Sequence, residues 1–128
     1  MESNQSNDHK EVSMIIQRND MKVEYKEHMR EGTGTVTVTH WADESTQRHV
    51  RLLAELSLPP GASIGLHQHN EETEYFCILA GTGVVNDDGK ETVVKPGDVV
   101  ITGNGASHSI RNSGAVPLVL HGIIITCG

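Results

Sequence analysis

Aromatic side chains are scarce in this 128-residue chain, with one Trp, two Tyr and one Phe making up 3% of it. A core of stacked rings is excluded, so Val, Ile, Leu, Met and Ala must fill the interior, a composition that favours strands over helices. Cysteine is nearly as rare. Cys77 and Cys127 lie far apart with no CxxC pair, which excludes a thiolate zinc knuckle and a dithiol redox motif; both are expected to be small buried free thiols in a reducing compartment. Basic charge is also short, with 10 Lys plus Arg against 17 Asp plus Glu for a net charge of −7. With no basic run, neither nucleic acid nor an acidic membrane surface is expected as a partner. No apolar run approaches the roughly 20 residues of a membrane span, and the opening MESNQSNDHK is polar where a signal peptide needs an apolar stretch. A cytoplasmic protein is the expectation.

What is present is a succession of short alternating runs. The length suits one domain, read as a polar tail over residues 1–11 followed by a barrel domain over 12–128. Val12, Met14 and Ile16 alternate as a strand would, whereas 21–30 is too charged to assign and is expected to be irregular. Strands are then expected over 34–41 and 49–58, and, after the turn at Pro59, Pro60 and Gly61, around 63–69, 74–79, 83–85, 91–94, 99–102, 106–112 and 118–126. The separators NEET, GTG, NDDG, KPGD, GNG and NSGAVP are turn chemistry. Many short, evenly spaced strands imply an all-β, antiparallel sandwich or barrel.

The chemistry concentrates in GASIGLHQHNEETEYFCILAG, residues 61–81. On a strand His67 and His69 project to one face with Cα atoms about 7 Å apart, so a single ion can span both. The next strand brings Glu74 beside them, with Phe76 and Ile78 as an apolar wall. His108 lies downstream on a strand whose Ile110 and Asn112 share its parity. Three imidazoles and a carboxylate suit a first-row divalent ion with open positions, and the lack of thiolates argues against a closed structural zinc site.

An HxH pair alone is a weak signal, but the spacing is specific. Gly61, five residues, His67, one residue, His69, four residues, Glu74, six residues and Gly81 resembles the first sequence motif of the cupin superfamily, and Gly97, Gly105, His108 and Asn112 resemble the second. The resemblance covers residues 48–126. It implies a six- to eight-stranded double-sheet barrel, the antiparallel double-stranded β-helix or jelly roll, with His67, His69, Glu74 and His108 holding one divalent transition metal (Mn, Fe, Ni, Zn or Cu). Small bacterial cupins of this kind are described as sugar isomerase-like or oxalate decarboxylase-like. The activity implied is therefore metal-dependent isomerisation, decarboxylation or oxygenation of a small sugar, sugar acid or organic acid bound in the barrel. A non-catalytic small-molecule-binding or sensor module is the alternative. Similar cupins pair through exchanged N-terminal strands, which implies a homodimer with residues 12–16 as the exchanged strand. In one departure Gly103 stands where the second motif usually carries proline, which is expected to loosen that corner.

Other polar residues are placed by parity. Val50, Leu52, Ala54, Leu56 and Leu58 form one apolar set, so Arg51 and Glu55, with His49, are expected to face solvent or a partner subunit. His121 alternates with Val119, Ile123 and Ile125 and is read as a core histidine. Asp98 follows Lys95, Pro96 and Gly97 as a turn residue. Met14, Met21 and Met29 are read as packing. The orientations of His40, Gln68 and Arg111 stay open.

Overall fold

A computed structural model describes residues 13–42 and 47–127. They form ten strands: β1 Lys22–Glu27, β2 Thr35–His40, β3 Val50–Leu58, β4 Ser63–Gln68, β5 Glu72–Ala80, β6 Gly83–Asp87, β7 Lys90–Val94, β8 Val99–Gly103, β9 Ser107–Asn112 and β10 Leu118–Thr126. Single 3₁₀ turns occupy Arg18–Asp20 and Met29–Glu31. The strands build a six-stranded sheet in the order β1-β2-β3-β10-β5-β8 and a four-stranded sheet in the order β4-β9-β6-β7. Every pairing is antiparallel. This is the all-β double-stranded β-helix. Among the described residues no helix is long and apolar enough to cross a membrane.

Side-chain alternation makes the two sheets face each other. Along β10 Leu118, Leu120, Gly122 and Ile124 are buried while the intervening residues are half-buried or exposed. In β3 the set ending in Ala54, Leu56 and Leu58 is buried in the same way. Ala54, Leu56, Leu58, Leu118 and Leu120 meet Val36, Val38, Ile64, Phe76, Val85 and Ile110 in one core. Full burial of each Leu or Ile contributes about 1.5–3 kcal/mol before the entropy of ordering is set against it.

The N-terminal segment departs from expectation. Residues 13–17 carry no regular structure, and Val12 lies outside the described residues. The first strand is β1, inside the stretch expected to be irregular, and it pairs with β2 from Lys22 opposite His40 to Glu27 opposite Thr35. Five of its six residues are exposed. As an edge strand carrying Lys22, Lys26, Glu24 and Glu27 it has no buried face to imprint alternation on the sequence. With β1 and β2 extending the larger sheet, the described residues form ten strands, more than the six to eight expected of the barrel.

Three further readings change. His121 is not a core residue: it sits half-buried on the outer side of β10, edge-on to Trp41 with ring centroids 4.2 Å apart. Cys127 is exposed and Cys77 half-buried, both free thiols. Gly103 does not loosen its corner. A Cβ there would lie 2.5 Å from Thr73 Oγ1 and 3.0 Å from the Glu72 carbonyl oxygen, so close approach of β8 to β5 requires glycine.

Two of the ladders are interrupted next to the cavity between the sheets. In the β4–β9 ladder Ile64 pairs with Ile110 but His67 pairs with His108, so one extra residue sits in β4 around Gly65 and Leu66. In the β3–β10 ladder Leu52 pairs with Ile124 and Val50 with Ile125, leaving Arg51 as the extra residue. Such bulges bend a strand and re-aim side chains.

Candidate metal centre

The bulge in β4 reverses that strand's parity. Ala62 and Ile64 point into the core at 2% and 1% exposure; past it Leu66 faces solvent and His67 and His69 point inward. Gly65 permits this, because a Cβ at that position would lie 2.0 Å from the Arg30 carbonyl oxygen. β9 delivers His108 opposite His67, and β5 delivers Glu74 from the facing sheet. The ligand atoms of all four lie within 4.8 Å of one another.

Their geometry is that of lone pairs aimed at one point. His108 Nε2 lies 3.0 Å from His69 Nε2 and 3.1 Å from His67 Nε2. Glu74 Oε1 lies 3.0 Å from His69 Nε2, 3.1 Å from His108 Nε2 and 3.9 Å from His67 Nε2. The far sides of two rings are anchored: His67 Nδ1–H donates to the Gly65 carbonyl at 2.7 Å and His69 Nδ1–H to Glu72 Oε2 at 2.5 Å. These bonds fix the tautomers that leave Nε2 unprotonated and facing inward. Two such nitrogens crowded against the Glu74 oxygen repel unless a cation or a proton lies among them. The donor set fits a divalent ion. His108 is held differently: its Nδ1 is buried without a hydrogen-bond partner, and its ring stacks on Phe76 with centroids 4.5 Å apart and planes 10° apart.

Electrostatics follow the same arrangement. Burial disfavours the charged form of Glu74, but the facing imidazoles of His108, His67 and His69 outweigh it and hold the carboxyl well below the usual carboxylate range. The hydrogen bond to Glu74 raises His69, aided by Glu72. Burial lowers His108 against the pull of the same Glu74. The Arg51 guanidinium is the main cause that brings Glu72 down to about 2.

The four side chains lie at or beside a cavity of about 560 Å³, within the usual range for small-molecule sites of about 300–1,000 Å³. Val38, Leu52, Leu56, Ile64, Phe76 and Ile124 wall it, and Lys26, Glu27, His28, Arg30, His40 and Arg51 add polar groups. His40 Nε2 is 2.6 Å from Glu24 Oε1. Arg51, expected to face solvent or a partner, is exposed but also borders the cavity, because the β3 bulge turns it out of its strand's alternation. Glu55 is on the outer side, paired with Arg18 at 2.8 Å. Gln68 donates to the Gly105 carbonyl at 2.7 Å, and Arg111 is exposed beside a separate shallow depression. Asp98 accepts the Lys95 N–H at 2.9 Å, as a turn residue does.

Asn112 is a structural clamp, donating to the carbonyls of Leu58 and Val116 at 2.9 and 2.8 Å while accepting from Gly114 N–H. Glu72 and Arg51 are the supporting residues that sequence reasoning missed. In the sequence Glu72 falls in the loop before Glu74, and only its offset of three residues from His69 hints at contact.

The cupin domain family matches residues 54–125 of this chain. A Thermotoga maritima protein named "Oxalate-binding protein" is 41% identical over 115 residues, 89% of this chain and 95% of the relative. A crystal structure of a "predicted oxalate decarboxylase" from Thermotoga maritima superposes with a TM-score of 0.84 at 39% identity, covering 88% of this chain and 99% of the other. The polyketide cyclase RemF of Streptomyces resistomycificus shares the fold at a TM-score of 0.70 and 20% identity, over 91% of this chain and 81% of its own.

Proposed function

This chain belongs to the cupin domain family, and from that membership we propose that it binds one divalent transition metal through His67, His69, Glu74 and His108 and acts on a small organic acid. The observation that carries the proposal is the convergence of three imidazole Nε2 atoms and one carboxylate oxygen beside a cavity of mixed apolar and polar lining. When bound, the ion supplies Lewis-acid polarisation of a substrate oxygen. The chain does the rest. Glu72 and the Gly65 carbonyl hold two imidazoles in orientation, Phe76 braces the third, and Leu52, Leu56, Ile64 and Ile124 line the cavity with apolar surface. An organic acid is preferred to a sugar because the relative that matches almost the full chain is named for oxalate. We place the protein in the cytoplasm, where Cys77 and Cys127 stay reduced, as a homodimer.

The relative's name states binding and not turnover, which favours a second reading, a module that holds the acid without converting it. One experiment separates the two. Elemental analysis of wild type beside His67→Ala first establishes the metal; calorimetric titration with oxalate and a carbon dioxide release assay come next. Metal in wild type alone, with oxalate bound and consumed, supports an enzyme, and binding without product supports the module. Absence of metal from wild type after reconstitution would sink both.

A further inference from the structure

The cavity is bordered by a segment wound in a way L-residues avoid. His28, Arg30 and Glu31 have φ of 52°, 52° and 64°, and Arg30 has ψ of 38°. At other left-handed positions the chain often uses glycine, as at Gly61 and Gly97 with φ of 83° and 96°, where no side chain opposes the conformation. Close packing leaves this segment little room to relax. A Cβ on Gly65 would lie 2.0 Å from the Arg30 carbonyl oxygen, and one on Gly32 would lie 2.2 Å from the Ser63 carbonyl oxygen. Gly65 is also the residue whose carbonyl orients His67. The Arg30 backbone is therefore registered against the same residue that positions a candidate ligand.

Arg30 is exposed and is one of the residues that line the cavity. Arg18 and Arg51 each grip a glutamate with two hydrogen bonds; among the described residues no carboxylate engages Arg30 in this way. Lys26 borders the same cavity. In a chain of net charge −7, a cationic group beside a cavity is a local reversal of sign that draws anions in. Strained backbone that presents a guanidinium gripped by no carboxylate among the described residues fits a ligand clamp.

We propose that Arg30 is the specificity-determining residue of this cavity, its planar fork taking a carboxylate of the substrate acid while the rest of the molecule reaches the cluster of His67, His69, Glu74 and His108. This role rests on the organic-acid reading of the site. A guanidinium matches a planar oxyanion with two parallel N–H···O bonds, which an ammonium does not reproduce.

The test uses metal-loaded wild type, Arg30→Gln, Arg30→Lys and Arg30→Gly, titrated calorimetrically with oxalate, malonate and inorganic phosphate. Chelator competition and thermal melting are run beside the titrations. Gln and Gly at 30 should weaken oxalate or malonate binding by roughly tenfold or more, with Lys intermediate. Metal affinity should not change, and Arg30→Gly should melt no lower than wild type because glycine relieves the left-handed strain. Unchanged acid binding in Arg30→Gln and Arg30→Gly would overturn the proposal, as would an acid-binding loss that tracks a fall in metal affinity or melting temperature. If loaded wild type binds none of the three anions, the organic-acid reading fails and takes this one with it. Phosphate binding that depends on Arg30, without acid binding, would keep Arg30's role and replace the organic acid by a phosphorylated substrate.

Discussion

Arg51 grips Glu72 through two hydrogen bonds of 2.8 Å, Nε to one carboxylate oxygen and Nη2 to the other. Because Glu72 also accepts His69 Nδ1–H, an arginine at a strand irregularity sets the angle of a candidate metal ligand. Glu72→Gln should weaken metal affinity about 10- to 100-fold with the strands intact, and Arg51→Met should act in the same direction by less. Chelator competition checks both; unaltered affinity in the two variants would mean that His69 is oriented by something else.

Protons and metal compete for the same imidazole nitrogens. His69 is held above the ordinary imidazole value, first by Glu74 and then by Glu72, so in the metal-free protein it takes up a proton before an unshifted histidine would as pH falls. Burial of His108 acts the other way. Metal affinity should therefore decline as pH drops from about 7 toward about 5. Affinities that stay level across that range would contradict the four-residue site.

Gly65 should not tolerate a side chain. Gly65→Ala places a Cβ 2.0 Å from a backbone oxygen, which should cost about 3 kcal/mol or more and weaken metal binding with it. Gly97→Ala is the control: nothing lies within 4 Å of its added Cβ, so only the positive φ is penalised, about 1 kcal/mol. Denaturant melts of the two variants give the comparison, and equal losses would refute the steric account.

His121 offers a pH-dependent stability test away from the metal. Burial lowers its pKa in the fold, with Glu55 pulling the other way. The unfolded chain then binds the proton more readily, so stability is full above about pH 6.5 and is lost as pH falls through the lower folded value. His121→Phe keeps a ring against Trp41 and removes the titration. With chelator present, the variant's melting temperature should gain on wild type as pH falls from about 7.5 to about 5; a constant difference would rule the linkage out.

The outer face of the larger sheet predicts the homodimer. Val99 and Ile101 are 54% and 61% exposed and lie beside Cys77 and Tyr75 in register, with Ile123 next to Tyr75. Such an apolar run on an otherwise charged chain suits a second copy. Ultracentrifugation at micromolar concentration should give a dimer for wild type and a shift toward monomer for Ile101→Lys. A monomeric wild type would remove the idea.

The four candidate ligands were legible as a group because His67, His69, Glu74 and His108 keep a spacing that few arrangements share, and the later strands because Val, Ile and Leu alternate between turn residues. β1 was hidden because an edge strand buries almost nothing. Arg51 and Glu72 were hidden for a different reason: parity counting assumes an unbroken ladder, and Arg51 is the residue at which the β3 ladder breaks. His121 was misplaced because its apolar neighbours Val119, Ile123 and Ile125 line the outer face, where apolar residues look like core to anyone counting alternation.

The extra residue in β4 gives the five-residue interval between Gly61 and His67 a meaning beyond spacing. It is a phase setting. With all residues present, an unbroken ladder that keeps Ile64 in the core would turn both imidazoles toward water, so at this interval the bulge is what brings them inward. A homologue one residue shorter over that interval would need no bulge, since plain alternation would already point both imidazoles inward, and counting the interval tells which of the two backbones to expect before any protein is made.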